Sequence, residues 1–282
     1  MKYIFLIISL LAVGFKAMAE EEIYDYKIEV GQFDRIRVTD NVNVVYRYLP
    51  DSTGYAQYRG KAEFDDAFIL TAKGDGKLKI QVNTQDVGKP DLPTLYIYSD
   101  FLSSVENSSN FVLKIESTAP CSEFKATQVG NGKITVENIR ANKVHATLNT
   151  GNGTVNVSGK CDNAYLKMVG AGMIAADRLQ SEDVQCTILG TGSIGCWATE
   201  NLSVKGIGST KIYYKGEPKI KKSGGGKLFE LPAESGEPRE VAQYDGEEEN
   251  EEEYEAEEEK QKEIINANEE EEPQTVVTWE DD

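Results

Sequence analysis

Residues able to do acid-base or nucleophilic chemistry are sparse in this sequence. His145 is the only histidine. It lies between Val144 and Ala146, so alternation predicts that its side chain points away from the core. Nothing nearby completes a pair of nucleophile and base around it. We therefore expect His145 to have no catalytic role.

Aspartates are the second set of candidates, because enzymes that act on acidic polysaccharides align carboxylates, sometimes with calcium, on one exterior face. The residues concerned are Asp162, Asp177 and Asp183. They lie 11, 7 and 13 residues after the first glycine of their repeat units, which places them in turns rather than on one shared face. We predict solvated turn residues, no catalytic, cofactor-binding or metal-ligating residue, and a protein that is not an enzyme.

A Gly-x-Gly triplet recurs along the chain and defines the elements that must position any functional group. The triplets begin at Gly130, Gly151, Gly170, Gly190 and Gly206, with a last echo, GGG, at Gly224. The intervals are 21, 19, 20, 16 and 18 residues. Two alternating segments of period two follow in each unit, which is typical of half-buried strands. The inward residues of the first segment are Ile134/Val136, Val155/Val157, Ile174/Ala176 and Ile194/Cys196, and those of the second are Val144/Ala146/Leu148, Ala164/Leu166/Met168, Val184/Cys186/Ile188 and Leu202/Val204.

Two short strands cannot bury an apolar face alone, whereas units wound into a coil place each strand about 4.8 Å from its counterpart. The pattern therefore predicts an all-β parallel solenoid in which Val136 lies beside Val157. Glycines belong at its corners, where the backbone turns sharply, and Asn131 above Asn152 would form a side-chain amide ladder. A β-propeller or an antiparallel meander is the alternative, but it requires a longer repeat or Asn-Gly turns between all strands.

The chain before these triplets continues the pattern less regularly. The segments around Leu113 and Ile115, and after Gly74, fit earlier coils. Residues 33–48 (FDRIRVTDNVNVVYRY) are also β-prone. We expect them to form an N-terminal β cap on the open end of the solenoid, because an uncovered edge invites aggregation.

Both ends of the chain differ from the repetitive region. Residues 1–19 combine Lys2, an apolar run and Ala17-Met18-Ala19, a pattern typical of a cleaved secretory signal peptide. Residues 231–282 contain 22 acidic and 3 basic residues, against 26 acidic and 27 basic residues before them. We predict a disordered acidic tail over residues 232–282 and a solenoid domain over residues 20–231 that lacks the basic stripe of a nucleic-acid-binding protein. No apolar run reaches the roughly 20 residues of a transmembrane helix.

The remaining candidates concern cysteines, tyrosines and the end of the tail. The spacing of Cys121, Cys161, Cys186 and Cys196 matches no metal knuckle. Export permits disulfides, but Cys186 and Cys196 fall on inward positions and are expected to act as small apolar fillers. Surface tyrosines could stack on sugars, although core or edge packing is the favoured role; they are Tyr46, Tyr48, Tyr55 and Tyr58, with Tyr213 and Tyr214 of similar status. The acidic tail lacks the pattern of a tight calcium site, and Val276, Val277 and Trp279 near its end form a small apolar cluster that could dock on a sheet edge.

Three features together resemble a known family. They are F-D-R-I-R-V…N-V-N-V-V-Y from Phe33 to Tyr46, the segment G-D-G-K-L-K-I from Gly74, and the run of Gly-x-Gly coils. This combination is similar to the bacterial putative auto-transporter adhesin, head GIN domain family, over about residues 24–231. The resemblance implies a right-handed parallel β-helix similar in outline to pectin-lyase-like folds, export to the envelope, no catalytic residues and an adhesive role. It also implies a trimer in some cases, and it leaves the acidic tail unexplained.

The function expected from the sequence is that of a non-enzymatic, exported adhesin or envelope-binding module. Its partner would be a cell-surface glycan or an envelope protein, contacted by many weak interactions along rigid coils. A polysaccharide-active enzyme of the pectin-lyase-like type is the alternative. A scaffold whose acidic tail recruits a basic partner is a third hypothesis.

Overall fold

The computed structural model describes residues 22–72 and 74–232, together with the backbone of residues 239 and 240. The predicted signal peptide, the acidic tail beyond this point and the cluster around Trp279 lie outside the described residues. Of the described residues, 65% lie in strands and 1% are helical. None of them belongs to a helix with the length and hydropathy needed to cross a membrane.

The strands are numbered in chain order, and one short 3-10 helix, Ala62–Phe64, follows β4. Their bounds are β1 Ile23–Glu29, β2 Arg35–Val38, β3 Val44–Tyr48, β4 Tyr55–Lys61, β5 Phe68–Ala72, β6 Lys77–Val82, β7 Leu95–Ser99, β8 Ser104–Asn107, β9 Val112–Ile115, β10 Cys121–Val129, β11 Lys133–Asn149, β12 Thr154–Val169, β13 Met173–Leu189, β14 Ser193–Ile207, β15 Lys211–Lys215, β16 Lys219–Gly224, β17 Lys227–Glu230 and β18 Arg239–Glu240.

The strands form a parallel β-solenoid of about six turns, which confirms the predicted fold class. Their pairings form one continuous sheet that winds around the interior, and two parts of it are named sheet A and sheet B. Sheet A runs in the order β5-β6-β2-β8-β10-β11-β12-β13-β14-β16, and sheet B in the order β1-β4-β7-β3-β9-β11-β12-β13-β14-β15-β17-β18. The four long strands β11 to β14 bend midway, so each contributes its first half to sheet B and its second half to sheet A.

Stacked aliphatic side chains fill the space between the two sheets. Val136 pairs directly with Val157 in the next turn, as the repeat predicts. A second column is formed by five completely buried residues of successive turns, Ile134, Val155, Ile174, Ile194 and Ile212. Burying each such side chain contributes about 1.5–3 kcal/mol, so the columns supply the driving force that a single unit lacks.

The glycine corners also match the prediction, with one difference in register. Gly208, not Gly206, lies against Gly190, because the ladder places Gly206 beside Ile188. The predicted alignment of the Gly206 triplet is therefore wrong by two residues. Thr210 takes the place of the second corner glycine, and its buried hydroxyl donates a hydrogen bond to the carbonyl oxygen of Gly190 at 2.9 Å.

The asparagines of the first two corners do not form the expected amide ladder. Instead, the backbone N–H of Asn152 donates to the side-chain oxygen of Asn131 at 3.0 Å. The side chain thus satisfies a corner backbone group of the next turn.

The N-terminal end is capped, but by other strands than predicted. Strands β2 and β3, from residues 33–48, are inner coil strands: β2 lies between β6 and β8, and β3 between β7 and β9. The cap is antiparallel and consists of β5 on the edge of β6 and of β4 and β1 beyond β7. The alternation of apolar and polar residues in 33–48 predicts strands there, but it does not indicate with which other strands they pair.

Candidate binding site

A shallow cleft on the outer surface of sheet A is a candidate ligand site among the described residues. Its volume is about 270 Å³. It spans three successive turns, in the second halves of β12, β13 and β14. We name it the polar cleft; its outward side chains are Asn163, Tyr165, Asp183, Gln185, Asn201 and Ser203.

Strand pairing explains how these residues come together. Asn163, Asp183 and Asn201 are direct neighbours in one row across the three strands, and Tyr165, Gln185 and Ser203 form the next row. Their intervening residues, such as Ala164, Val184 and Leu202, are buried. Because successive side chains of a strand point to opposite faces, the packing of the core holds both rows outward.

The row of amides and carboxylate is internally bonded. The side-chain N–H of Asn201 donates to Oδ1 of Asp183 at 2.6 Å. This contact orients the carboxylate and leaves its second oxygen able to accept from a ligand. Lys143 and Lys219 flank the row in the adjoining turns, so the one carboxylate that lines the cleft lies between two lysines just outside it.

His145 borders the cleft through its ring. The ring stacks on Tyr165, with centroids 4.6 Å apart and planes 11° from parallel, and its Nε2 lies 2.8 Å from a carboxylate oxygen of Glu123. Burial lowers the pKa of His145, partly offset by the attraction of Glu123. The side chain points outward, as predicted, and its ring lies against that of the tyrosine.

The three aspartates singled out in the sequence do not converge. Asp183 lies in the polar cleft, whereas Asp177 lies at the bend of β13, beside Gly195, and Asp162 is exposed in β12. All three lie within strands, so the prediction of turn positions is wrong. The reason is that β12 and β13 continue through the bend, where the ladders shift their register but the strands do not end. Within residues 22–72 and 74–232, no three histidine, cysteine or acidic side chains are grouped closely enough to hold a metal ion.

The tyrosines near the N-terminus divide between core and surface. Tyr46 and Tyr58 are buried, as the favoured packing role predicts. Tyr55 faces outward on sheet B, where it stacks on Tyr98 at 4.7 Å, and the ammonium group of Lys27 lies 4.3 Å from its ring centre. Lys27 and Tyr98 belong to the strands on either side of Tyr55, so both faces of this ring are already in contact with the protein.

The two tyrosines of the final coil also differ. Tyr214 is buried, and Tyr213 faces outward and stacks on Phe229 at 5.1 Å.

The four cysteines are free thiols in the structure. Cys186 and Cys196 are buried in the core, which confirms their predicted inward positions. Cys161 is also buried, 3.2 Å from the hydroxyl of Ser181, and burial raises its pKa to about 11. Cys121 is half-buried.

The sequence analysis did not identify five of the cleft residues, which are Asn163, Tyr165, Gln185, Asn201 and Ser203. The signal that could have found them is their register. Tyr165 lies between the inward residues Ala164 and Leu166, as His145 lies between Val144 and Ala146 one turn earlier. Laying the outward positions of successive units side by side would have placed a tyrosine next to a row of small polar residues.

Comparison with known proteins adds a family and a set of similar folds. The defining pattern of the putative auto-transporter adhesin, head GIN domain family matches residues 32–218. No curated protein matches the chain.

Several solved structures share the fold. A putative adhesin from Bacteroides fragilis is 23% identical, with a TM-score of 0.67, over 75% of this chain and 98% of that one. A putative adhesin from Parabacteroides distasonis is 19% identical, with a TM-score of 0.61, over 75% and 98%. A putative lipid binding protein from the same species is 21% identical, with a TM-score of 0.56, over 76% and 98%.

Proposed function

This chain belongs to the putative auto-transporter adhesin, head GIN domain family, and we propose that it is an exported, non-enzymatic protein that binds a molecule of the cell envelope or of another cell surface. The observation that carries the proposal is the exterior of the solenoid. Parallel strands of successive turns present outward side chains in regular rows, and the polar cleft lies among those rows on β12 to β14.

Rigidity makes this surface suitable for binding. The side chains are held by strands whose inner residues are completely buried, so little conformational entropy is lost when a partner is bound. A partner that repeats along its length could contact several turns at once, and weak contacts would then sum to a useful affinity. A cell-surface glycan or a repetitive envelope protein has this property.

Binding is favoured over catalysis by the content of the polar cleft. Hydrolysis of a glycosidic bond generally uses two carboxylates, about 5–9.5 Å apart, that flank the bond. Asp183 is the one carboxylate among the residues that line the cleft, and its neighbour in the row is the amide Asn201. The polysaccharide-active enzyme considered from the sequence is therefore the weaker hypothesis.

Export is part of the proposal. It is supported by residues 1–19, whose charged start, apolar run and small residues are typical of a signal peptide, and by the family to which the chain belongs. The resulting location is the periplasm, the outer surface or the medium. Association into trimers, which the family implies in some cases, is proposed on the same basis.

A binding assay with isolated cell envelopes tests the function. The full chain without residues 1–19 should co-sediment with envelopes, and a variant that also lacks residues 241–282 should bind equally well, because the solenoid supplies the contacts. If the shorter variant loses binding, the tail recruits the partner and the scaffold hypothesis replaces ours. If neither variant binds, and the full chain instead releases soluble sugar from envelope polysaccharide, the protein is an enzyme and the proposal is wrong.

A further inference from the structure

Tyr165 has one ring face covered and the other facing the polar cleft. The His145 ring covers the first face at 4.6 Å. On the opposite side, the next strand carries Gln185 and the one after it carries Ser203. Serine is much shorter than tyrosine, and all three residues line the cleft. Tyr165 therefore supplies the aromatic edge of the cavity, on the side where its ring meets His145.

Hydrogen-bonding groups form the floor and the far side of the same cavity. Asn163, Gln185 and Asn201 each carry both donors and acceptors, and Asp183 accepts only. The bond from Asn201 fixes one oxygen of Asp183. Its other oxygen and the amides of Asn163 and Gln185 offer partners of both kinds within a space of about 270 Å³.

We propose that the polar cleft is a carbohydrate subsite that binds a neutral pyranose ring. This inference rests on the proposed binding function and names its ligand class. The face of a pyranose that carries C–H bonds packs on the negative π face of Tyr165, while ring hydroxyls bond with Asp183, Asn163 and Gln185.

The carboxylate of Asp183, the one charged group that lines the cleft, favours a neutral sugar over an acidic one. Asp183 lies at the centre of the cleft, so a uronic acid or sulfated sugar would place two negative charges close together, whereas a hydroxyl donates to the carboxylate in a charge-assisted bond. Lys143 lies one strand beyond the cleft on one side, and Lys219 and Lys221 lie one strand beyond it on the other. They border the site along the solenoid axis and do not line it.

Other outward tyrosines do not offer this geometry, and one of them serves as a control. Tyr55 is contacted on one face by Tyr98 and on the other by Lys27. It has a similar partly buried environment on sheet B, yet no open ring face for a sugar. Loss of its ring should leave binding unchanged.

The test uses the full chain without residues 1–19 on an array of neutral and acidic oligosaccharides. Hits are then titrated by saturation-transfer NMR and calorimetry. We expect binding to at least one neutral hexose or N-acetylhexosamine oligosaccharide. Tyr165→Ala and Asp183→Ala should each weaken it at least tenfold, which corresponds to about 1.4 kcal/mol. Tyr165→Phe should remain within about threefold, since the ring is retained, and Tyr55→Ala should match the wild type.

A second variant keeps the test decisive where Tyr165→Ala also disturbs the contact with His145. Ser203→Phe fills the cleft from an outward position without changing a core residue, and it should abolish sugar binding while the melting temperature stays near that of the wild type. Ser203→Phe should also weaken binding to envelopes. Periodate oxidation of the envelope glycans should abolish envelope binding by the wild type.

Three results would overturn the inference. Envelope binding that survives periodate but not protease, with no array hit at millimolar sugar, assigns a protein partner and leaves the proposed function standing. An array hit that is equally strong in Ser203→Phe and Tyr165→Ala places the sugar elsewhere on the protein. Absence of both envelope binding and array hits refutes the inference and the proposed function together.

Discussion

Replacing Gly132 with alanine probes the packing of a glycine corner directly. A Cβ atom at this position would lie 2.1 Å from the carbonyl oxygen of Ser109 and 2.9 Å from that of Phe111. Real Cβ contacts are essentially never shorter than 3.0 Å. The backbone of the neighbouring turn must therefore move by about 0.9 Å (3.0 − 2.1), against a core that is already close-packed.

The cost follows from two terms. Overpacking of this kind destabilises by about 1–3 kcal/mol. The displacement also strains two hydrogen bonds beside Gly132, from Lys133 N–H to Phe111 O at 3.1 Å and from Thr154 N–H to Gly132 O at 2.9 Å. Each is worth about 1 kcal/mol. We therefore expect Gly132→Ala to lower the free energy of unfolding by about 3–5 kcal/mol, a large part of the 5–15 kcal/mol that is typical of a domain.

Gly130 in the same triplet is the matched control. A Cβ there would meet nothing within 4 Å, but the residue has a φ of +88°. Gly130→Ala thus carries only the backbone strain, about 1–2 kcal/mol, while both variants restrict the unfolded chain equally. Urea unfolding followed by far-UV circular dichroism gives the two values. If Gly132→Ala unfolds at the same urea concentration as Gly130→Ala, or at a higher one, close approach of the turns is not what requires glycine at the corner.

Three further predictions concern the pH dependence, the thiols and the core. Burial lowers the pKa of His145, so the folded state binds fewer protons than the unfolded state below about pH 6.5, and the free energy of unfolding should fall as the pH drops through that value. His145→Gln should remove this contribution to the pH dependence of the unfolding free energy in urea titrations. An unchanged pH dependence would contradict the assignment to His145. In the native protein, Cys121 should be alkylated before the three buried thiols. Its alkylation should still be slow, because burial raises its pKa. Equal labelling of all four cysteines in peptide mass spectrometry would contradict the buried positions of the other three. Leu148 is completely buried, so Leu148→Ala should lower the free energy of unfolding by about 2–5 kcal/mol. The outward Thr147→Ala should change it by less than about 0.5 kcal/mol. Equal effects in thermal melts would contradict the assignment of Leu148 as inward and Thr147 as outward.

Local patterns in the sequence were sufficient to predict the repeating part of the fold. Alternation of period two identifies which side chains of each strand point inward, and Val136, Val157, Cys186 and Cys196 are all buried where it places them. The near-constant spacing of the glycines then implies that equivalent residues stack. Both signals act within about twenty residues, so they can be read from the chain alone.

Register over longer distances was less accessible. The Gly206 triplet looks like its predecessors, but the ladder aligns Gly208 with Gly190, because Leu202 and Val204 must stay in the core columns. The extended course of β12 and β13 through the bend likewise removed Asp162 and Asp177 from the turns in which they were predicted. Neither a glycine triplet nor a single aspartate indicates which backbone hydrogen bonds form with the neighbouring turn.

The sequence by itself determined that this chain coils, where its corners lie and which side chains fill it, since each of these depends on residues that are close together in the chain. Only the tertiary structure decided that β2 and β3 lie between later strands and that Tyr165, Asp183 and Asn201 share one cleft. Strand pairing brings these residues together across about twenty positions per turn, and hydrogen bonds between backbones are nearly independent of side-chain identity. The choice of neighbour is therefore made by the packing of the whole solenoid.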